Sequence, residues 1–125
     1  MFELRVTLRF SAGHHLRQYH GTSETPHEHK YRVDLFVTGE KTDTEGLVAD
    51  FTEIKARGQK ALARFDHADL NELPEFTRIN PTTENIAVVI YRALAPELDS
   101  DNVRLAAVRV WESDDACCLY RPESE

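Results

Sequence analysis

Three features of the chain predict an α+β fold in which two helices lie on one face of an antiparallel four-stranded sheet. Residues 2–10 and 30–39 alternate apolar and polar side chains with the period of a half-buried strand. Two later stretches open on capping residues and carry apolar side chains at helical spacing. A final pair of short apolar runs is separated by Ser113-Asp114-Asp115, which suits a hairpin turn. Helices segregated in sequence from antiparallel strands define this class.

The first strand places Phe2, Leu4, Val6, Leu8 and Phe10 on one face and Glu3, Arg5, Thr7 and Arg9 on the other. Residues 11–28 are rich in Gly, His, Ser and Thr, with Pro26 near the end. They follow neither period and read as a long loop, a length that usually serves a function. The second strand sets Tyr31, Val33, Leu35 and Val37 against Lys30, Arg32, Asp34 and Thr38, with Phe36 breaking the pattern. After a polar turn ending near Gly46, Asp50 with Glu53 three residues on forms a reciprocal capping pattern. A helix over about residues 51–65 follows, with Phe51, Ile54, Ala61, Leu62 and Phe65 on one face and Gly58 interrupting it. Around Thr82 and Thr83 an N-cap hydroxyl precedes Glu84. Ile86, Val89, Ile90, Ala93, Leu94 and Leu98 then continue at helical spacing, predicting a second helix over about 83–95. Strands over about 103–112 and 117–121 close the chain, and the tail beyond Arg121 is expected to fray. The expected order is ββααββ in one domain spanning 1–125, with no repeat or linker. Its two sheet edges and uncovered face favour self-association.

A chain of 125 residues, 41% apolar, is long enough for one packed core. The formal charge is −7, and fifteen Lys and Arg are scattered among twenty-two acidic residues. That leaves no basic stripe for nucleic acid and favours a small-molecule partner. No run approaches the roughly 18 apolar residues of a membrane span, and the N-terminus lacks the apolar stretch of a signal peptide, so the cytoplasm is the expected location. The two cysteines, Cys117 and Cys118, are adjacent and cannot staple distant segments.

Histidine is more informative, because five of the six fall between positions 14 and 29. His27 and His29 stand two apart at the start of the second strand, so their side chains share a face and can converge on one ion. If the two strands pair antiparallel, His14 and His15 at the far end of the first strand come alongside. Three imidazoles with a fourth position vacant are the pattern of catalytic zinc, which acts as a Lewis acid; solvated loop histidines are the alternative. Asp66-His67 reads either as a turn and cap or as a carboxylate orienting an imidazole for proton transfer. Glu112 shares the face of Val108 and Val110 at the margin of the core. It either reaches water or accepts two parallel hydrogen bonds from a guanidine-like edge, as a pterin presents.

These segments occur in the order of one family. Phe10-Ser11-Ala12-Gly13-His14, His27-Glu28-His29-Lys30-Tyr31, Gly46-Leu47-Val48-Ala49-Asp50-Phe51 with Lys55, Phe65-Asp66-His67-Ala68-Asp69-Leu70-Asn71, Asn80-Pro81-Thr82-Thr83-Glu84-Asn85 and Val110-Trp111-Glu112 are the matching blocks. In them the chain resembles the 6-pyruvoyltetrahydropterin synthase and 6-carboxytetrahydropterin synthase family over nearly its whole length. The resemblance implies that His14, His27 and His29 bind Zn²⁺ and that Asp66 and His67 belong to a catalytic relay. It also implies that Glu112 anchors the pterin and that Thr82 and Thr83 border its pocket. The implied architecture is the tunnelling fold, commonly a homohexamer with pockets between subunits.

Two positions depart from the family pattern. His-Gly-His reads His27-Glu28-His29 here, and Glu28 is expected to point away from the metal. Where members making the pyruvoyl or carboxy product usually carry cysteine stands Ser23, which supplies no thiolate. A branch of the family instead has glutamate three residues before the first histidine of the pair, the position of Glu24, and cleaves the side chain to leave a hydroxymethylpterin. The resemblance therefore implies a zinc-dependent lyase acting on 7,8-dihydroneopterin or its triphosphate, in queuosine or folate biosynthesis, with Glu24 in place of the cysteine. The alternative is a pterin-binding homologue that has lost catalysis.

Overall fold

The computed structural model describes residues 1–18 and 20–123; the tail expected to fray extends past these to residues 124 and 125, which lie outside the described residues. Two long strands, β1 (Phe2–His14) and β2 (His27–Gly39), pair antiparallel from Phe2↔Gly39 to His14↔His27. Helix α1 (Phe51–Leu62) follows, then a two-residue strand β3 (Ala68–Asp69), two 3₁₀ turns at Leu70–Glu72 and Pro74–Phe76, and helix α2 (Thr83–Leu98). Strands β4 (Val103–Trp111) and β5 (Cys117–Tyr120) form the closing hairpin. The sheet order is β3-β1-β2-β4-β5, antiparallel throughout except for the β3–β1 pair.

The α+β class with two helices is as expected, but the sheet has five strands and the order is ββαβαββ, so the four-stranded count is corrected. The added strand forms because β1 runs four residues past Phe10 and leaves its outer edge open at Ala12 and Gly13, where Ala68 and Asp69 pair parallel. The backbone N–H of His67 donates to the Ser11 carbonyl at 2.6 Å and brings the segment in. Two residues are too few for any periodicity to register.

Helix boundaries also move. Helix α1 stops at Leu62, and residues 63–65 continue as tighter turns in which Ala63 N–H donates to the Lys60 carbonyl and Phe65 N–H to that of Leu62. Helix α2 continues through Pro96 to Leu98, whose side chain is buried in the core. Asp50 caps α1 by accepting from Thr52 N–H at 2.8 Å, and Thr82 caps α2 by accepting from Asn85 N–H at 3.1 Å.

One hydrophobic cluster joins the even face of β1, the odd face of β2, and Leu105, Val108 and Val110 of β4 to Ile54 and Leu62 of α1 and the apolar side of α2. Phe10 stacks on its cross-strand partner Tyr31 at 4.9 Å between ring centroids. Gly58 interrupts the apolar face of α1 for a steric reason: a Cβ there would lie 2.6 Å from Leu8 Cδ1, so glycine lets the helix approach the sheet closely. No helix among the described residues is long and apolar enough to cross a membrane.

Candidate functional site

The register of β1 against β2 places His14 opposite His27 and Ala12 opposite His29, all on the face that carries Phe10 and Tyr31. Glu112, one residue beyond β4, continues the face of Val108 and Val110 toward the same spot. His14, His27, His29 and Glu112 each offer one ligand atom, and these atoms all lie within 4.8 Å of one another. His14 Nε2 is 3.0 Å from His27 Nε2 and 3.4 Å from Glu112 Oε1, which is itself 3.4 Å from His29 Nε2.

Hydrogen bonds to the backbone decide which way the lone pairs point. The Pro81 carbonyl can only accept, so His14 Nδ1, 2.9 Å away, carries the ring proton, and Nε2 presents a lone pair to the cluster. His27 is set likewise by Nδ1 donating to the Thr25 carbonyl at 3.0 Å. Two lone pairs facing each other at 3.0 Å repel unless a cation lies between them, and His29 Nε2 is buried with no hydrogen-bond partner. A divalent cation fits this donor set: imidazole nitrogens aimed by carbonyl acceptors are how zinc-binding histidines are oriented. His14 is almost fully buried. Burial, reinforced by His27 and His29, holds its pKa below the ordinary 6.5 despite the opposing pull of the Pro81 carbonyl and Glu112. It is thus kept neutral, as a ligand must be. The Tyr31 hydroxyl, 3.1 Å from His14 Nδ1, has its pKa pushed up by burial and by the charge of Glu112, and it stays protonated.

Beside the cluster lies a hollow of about 350 Å³ lined by His14, His27, Glu24, Thr82, Thr83 and Glu112 together with Leu16 and Glu84. The fold thus brings two of the expected catalytic and binding carboxylates to the imidazoles. Glu24 is held there reciprocally: its backbone N–H donates to the Leu16 carbonyl at 2.8 Å while its Oε1 accepts from Leu16 N–H at 3.1 Å. Thr82 has its hydroxyl committed to the α2 cap, and Thr83 opens the helix beside it. Ser23 is exposed. Glu28 pairs with Gly13 and is not among the four converging ligand candidates.

Asp66 and His67 are placed elsewhere. Asp66 Oδ1 accepts from Ser11 N–H at 3.0 Å, and the His67 ring, 80% exposed, has its Nε2 3.6 Å from Asp66 Oδ2. The His67 backbone sits at φ +59°, in the left-handed region that non-glycine residues seldom occupy. His67 lines a second hollow along with His14, His27 and Glu28, but no hydrogen bond joins it to the imidazole cluster.

Several residues that shape the site had no role assigned from the sequence, although Asn71 and Asn80 stand in the matching blocks. Asn71 grips the backbone of His15 through both ends of its amide, accepting from His15 N–H at 2.9 Å and donating to the His15 carbonyl at 3.1 Å. Asn80 does the same to Arg17 at 2.8 and 2.9 Å. The Arg17 guanidinium in turn donates to the carbonyls of Phe76, Ile79 and Asn71 at 2.6, 3.2 and 3.2 Å. Side chains from residues 71–80 thereby act as ladder partners for the loop that follows β1. An acceptor such as the Pro81 carbonyl cannot be recognised in a sequence, because every residue has one.

Comparison with known proteins places these features in context. A family model described as 6-pyruvoyl tetrahydropterin synthase matches residues 3–123. The chain is 30% identical to a Bacillus subtilis 6-carboxy-5,6,7,8-tetrahydropterin synthase over 98% of its own length and 86% of the relative's. It is 33% identical to a Pyrococcus furiosus dihydroneopterin monophosphate aldolase over 74% of the chain and 75% of that protein. The solved 6-pyruvoyl tetrahydropterin synthase of Caenorhabditis elegans superposes with a TM-score of 0.84 at 21% identity, covering 98% and 96% of the two chains, and so shares the fold.

Proposed function

The chain belongs to the 6-pyruvoyl tetrahydropterin synthase family, and from that premise we propose that it is a zinc-dependent lyase cleaving the side chain of 7,8-dihydroneopterin or a phosphorylated form of it. The observation that carries this reading is the convergence of three imidazoles with Glu24 and Glu112 around one hollow. His14, His27 and His29 would hold the metal, whose contribution when bound is Lewis acidity toward side-chain oxygens.

The protein's own groups divide the remaining work. Glu112 has two acceptor oxygens for the amino group and ring N–H of a pterin, and Thr82 and Thr83 border the ring. Glu24, on the rim, is the base for the hydroxyl on the second side-chain carbon. Once that proton leaves, the bond between the first and second side-chain carbons breaks. The second carbon departs as an aldehyde, and the electron pair passes into the dihydropterin ring. A proton delivered to the first carbon leaves a hydroxymethyl group, and no oxidant or reductant is consumed. Relatives named as carboxy synthases and as an aldolase support side-chain chemistry of this kind. Ser23 argues against the carboxy and pyruvoyl products, because a hydroxyl is far less acidic than a thiol. Neither Asp66 nor His67 lines the hollow that holds Glu24 and Glu112, although His67 borders a second one with His14 and His27; we assign the pair's part in the relay to a pocket shared with a neighbouring subunit, as a homohexamer would provide.

Incubating the zinc-loaded protein with dihydroneopterin, its monophosphate and its triphosphate, and identifying products by mass, tests the reading. A hydroxymethylpterin with an equimolar two-carbon aldehyde or its phosphate is expected. Robust formation of a carboxy- or pyruvoyl-tetrahydropterin would overturn the role given to Glu24, and no turnover of any of the three would favour a binding protein without catalysis.

A further inference from the structure

Glu112 faces two incompatible demands. Among the described residues its carboxylate meets no side-chain hydrogen-bond donor other than the imidazoles, and its nearest side-chain nitrogens are His14 Nε2 and His29 Nε2, both at 3.4 Å. The contact with His14 is not a hydrogen bond, since the proton of that ring is on Nδ1, facing Pro81. The spacing has another explanation. In a tetrahedral zinc site with bonds of about 2.0 to 2.1 Å, neighbouring ligand atoms stand about 3.3 Å apart. Three of the cluster's six edges, 3.0, 3.4 and 3.4 Å, are close to that length and two of them end on Glu112, while all six stay within 4.8 Å.

We propose that Glu112 is the fourth metal ligand of the resting protein and that it leaves the metal to grip the pterin edge, so that ring binding opens the position the substrate side chain needs. The inference rests on the zinc and pterin reading above and adds an order of events to it. With Glu112 engaged the shell is closed, three imidazoles and one carboxylate, the form of a structural site. With Glu112 turned to the pterin, three imidazoles and an open position remain, the form of a catalytic one. One carboxylate serving two partners makes them competitors: a pterin with no side-chain oxygens takes Glu112 and returns nothing to the metal. Linkage then requires that it weaken metal binding by the same factor by which the metal weakens its own binding. A neopterin side chain, carrying hydroxyls to replace the lost ligand, cancels part of that penalty.

Zinc dissociation constants, measured against a chromophoric chelator on the intact protein, test the exchange. Wild type, Glu112→Gln, Glu112→Asp and His29→Ala are compared with and without saturating pterin unsubstituted at the side-chain position. Glu112→Gln keeps the shape of the side chain at a site about one-third exposed, and Glu112→Asp keeps the charge if the first variant folds poorly. We expect Glu112→Gln to weaken zinc at least about 10-fold, with Glu112→Asp between it and wild type. Pterin should weaken zinc on wild type and leave zinc binding by Glu112→Gln unchanged. Zinc affinity in Glu112→Gln equal to wild type overturns the ligand assignment, and wild-type zinc affinity unmoved or raised by bound pterin overturns the exchange. Unchanged zinc in His29→Ala would instead sink the metal centre itself, and failure of pterin to bind wild type would sink the pterin reading. Either would take the exchange with it.

Discussion

Individual side chains at this site are specialised by what their second polar atom touches. His14 is the clearest case, because its Nδ1 is tied to the Pro81 carbonyl and its pKa is held below 6.5 chiefly by burial. In the metal-free protein the unfolded chain therefore takes up a proton at His14 between the depressed folded value and 6.5, while the folded chain does not. Stability present above 6.5 is lost as pH falls through that window. The urea midpoint of metal-free wild type should drop between about pH 7 and about pH 5.5, and His14→Asn should flatten the drop; equal slopes would show that the buried imidazole is not the source. The two glutamates are expected to separate by readout. Glu112→Gln, which turns an amide donor toward the pterin's donors, should cost about 2 to 4 kcal/mol of neopterin binding. Glu24→Gln should leave binding nearly intact and depress turnover. Calorimetric titration of both variants distinguishes the roles, and near-equal affinities would remove Glu112 as the anchor.

At the scale of elements, the site is built where β1 outruns the alternation that predicts it. Past Phe10 the strand continues through Ser11, Ala12, Gly13 and His14, paired with β2 on one side and with β3 on the other. Beyond His14 the chain leaves the sheet but stays in place, because Asn71 and Asn80 pair with its backbone and Arg17 spans three carbonyls. Arg17→Ala removes all three of the guanidinium's carbonyl contacts, including that to Phe76, a buried residue. Hydrogen bonds from a charged donor are worth about 1.5 to 3 kcal/mol each, and partial rehydration of the carbonyls recovers some of that, so a net loss of about 2 to 3 kcal/mol is expected in urea unfolding. Since the same clamp fixes Leu16, whose backbone holds Glu24, turnover should fall further than Arg17→Lys permits. A stability loss with unchanged turnover would confine Arg17 to the scaffold.

For the whole molecule, the separation of Asp66–His67 from the imidazole hollow matters most. The His67 ring is exposed on a strained backbone beside β3 at the edge of the sheet, with Asp66 Oδ2 3.6 Å from its Nε2. If the relay is completed across a subunit boundary, mixing a His67→Ala chain with a Glu24→Gln chain, each inactive alone, restores part of the activity after the subunits exchange. Mixtures that stay inactive, although subunit exchange is verified by native mass spectrometry, would confine each site to one chain.

From the sequence alone came the α+β class, the half-buried alternation of both long strands, the capped starts of both helices, and His27 with His29 on a common face. These are local properties, set by a period of two or of 3.6 and by the chemistry of a cap. Tertiary structure decided the rest. Alternation brought His14 and His15 alike to the mouth of the site and the family resemblance pointed to His14; strand register and the Pro81 carbonyl supply the physical reason, while Asn71 ties down the backbone of His15. The fifth strand, two residues long, exists because β1 leaves an edge to be filled. Glu112 looked like an anchor for a pterin, and whether it also belongs to the metal depends on distances of 3.4 Å between residues separated by more than eighty positions in the chain. Periodicity tells which side of an element a residue faces; how far it stands from another element's residue is settled only when the core packs and fixes the strands in register.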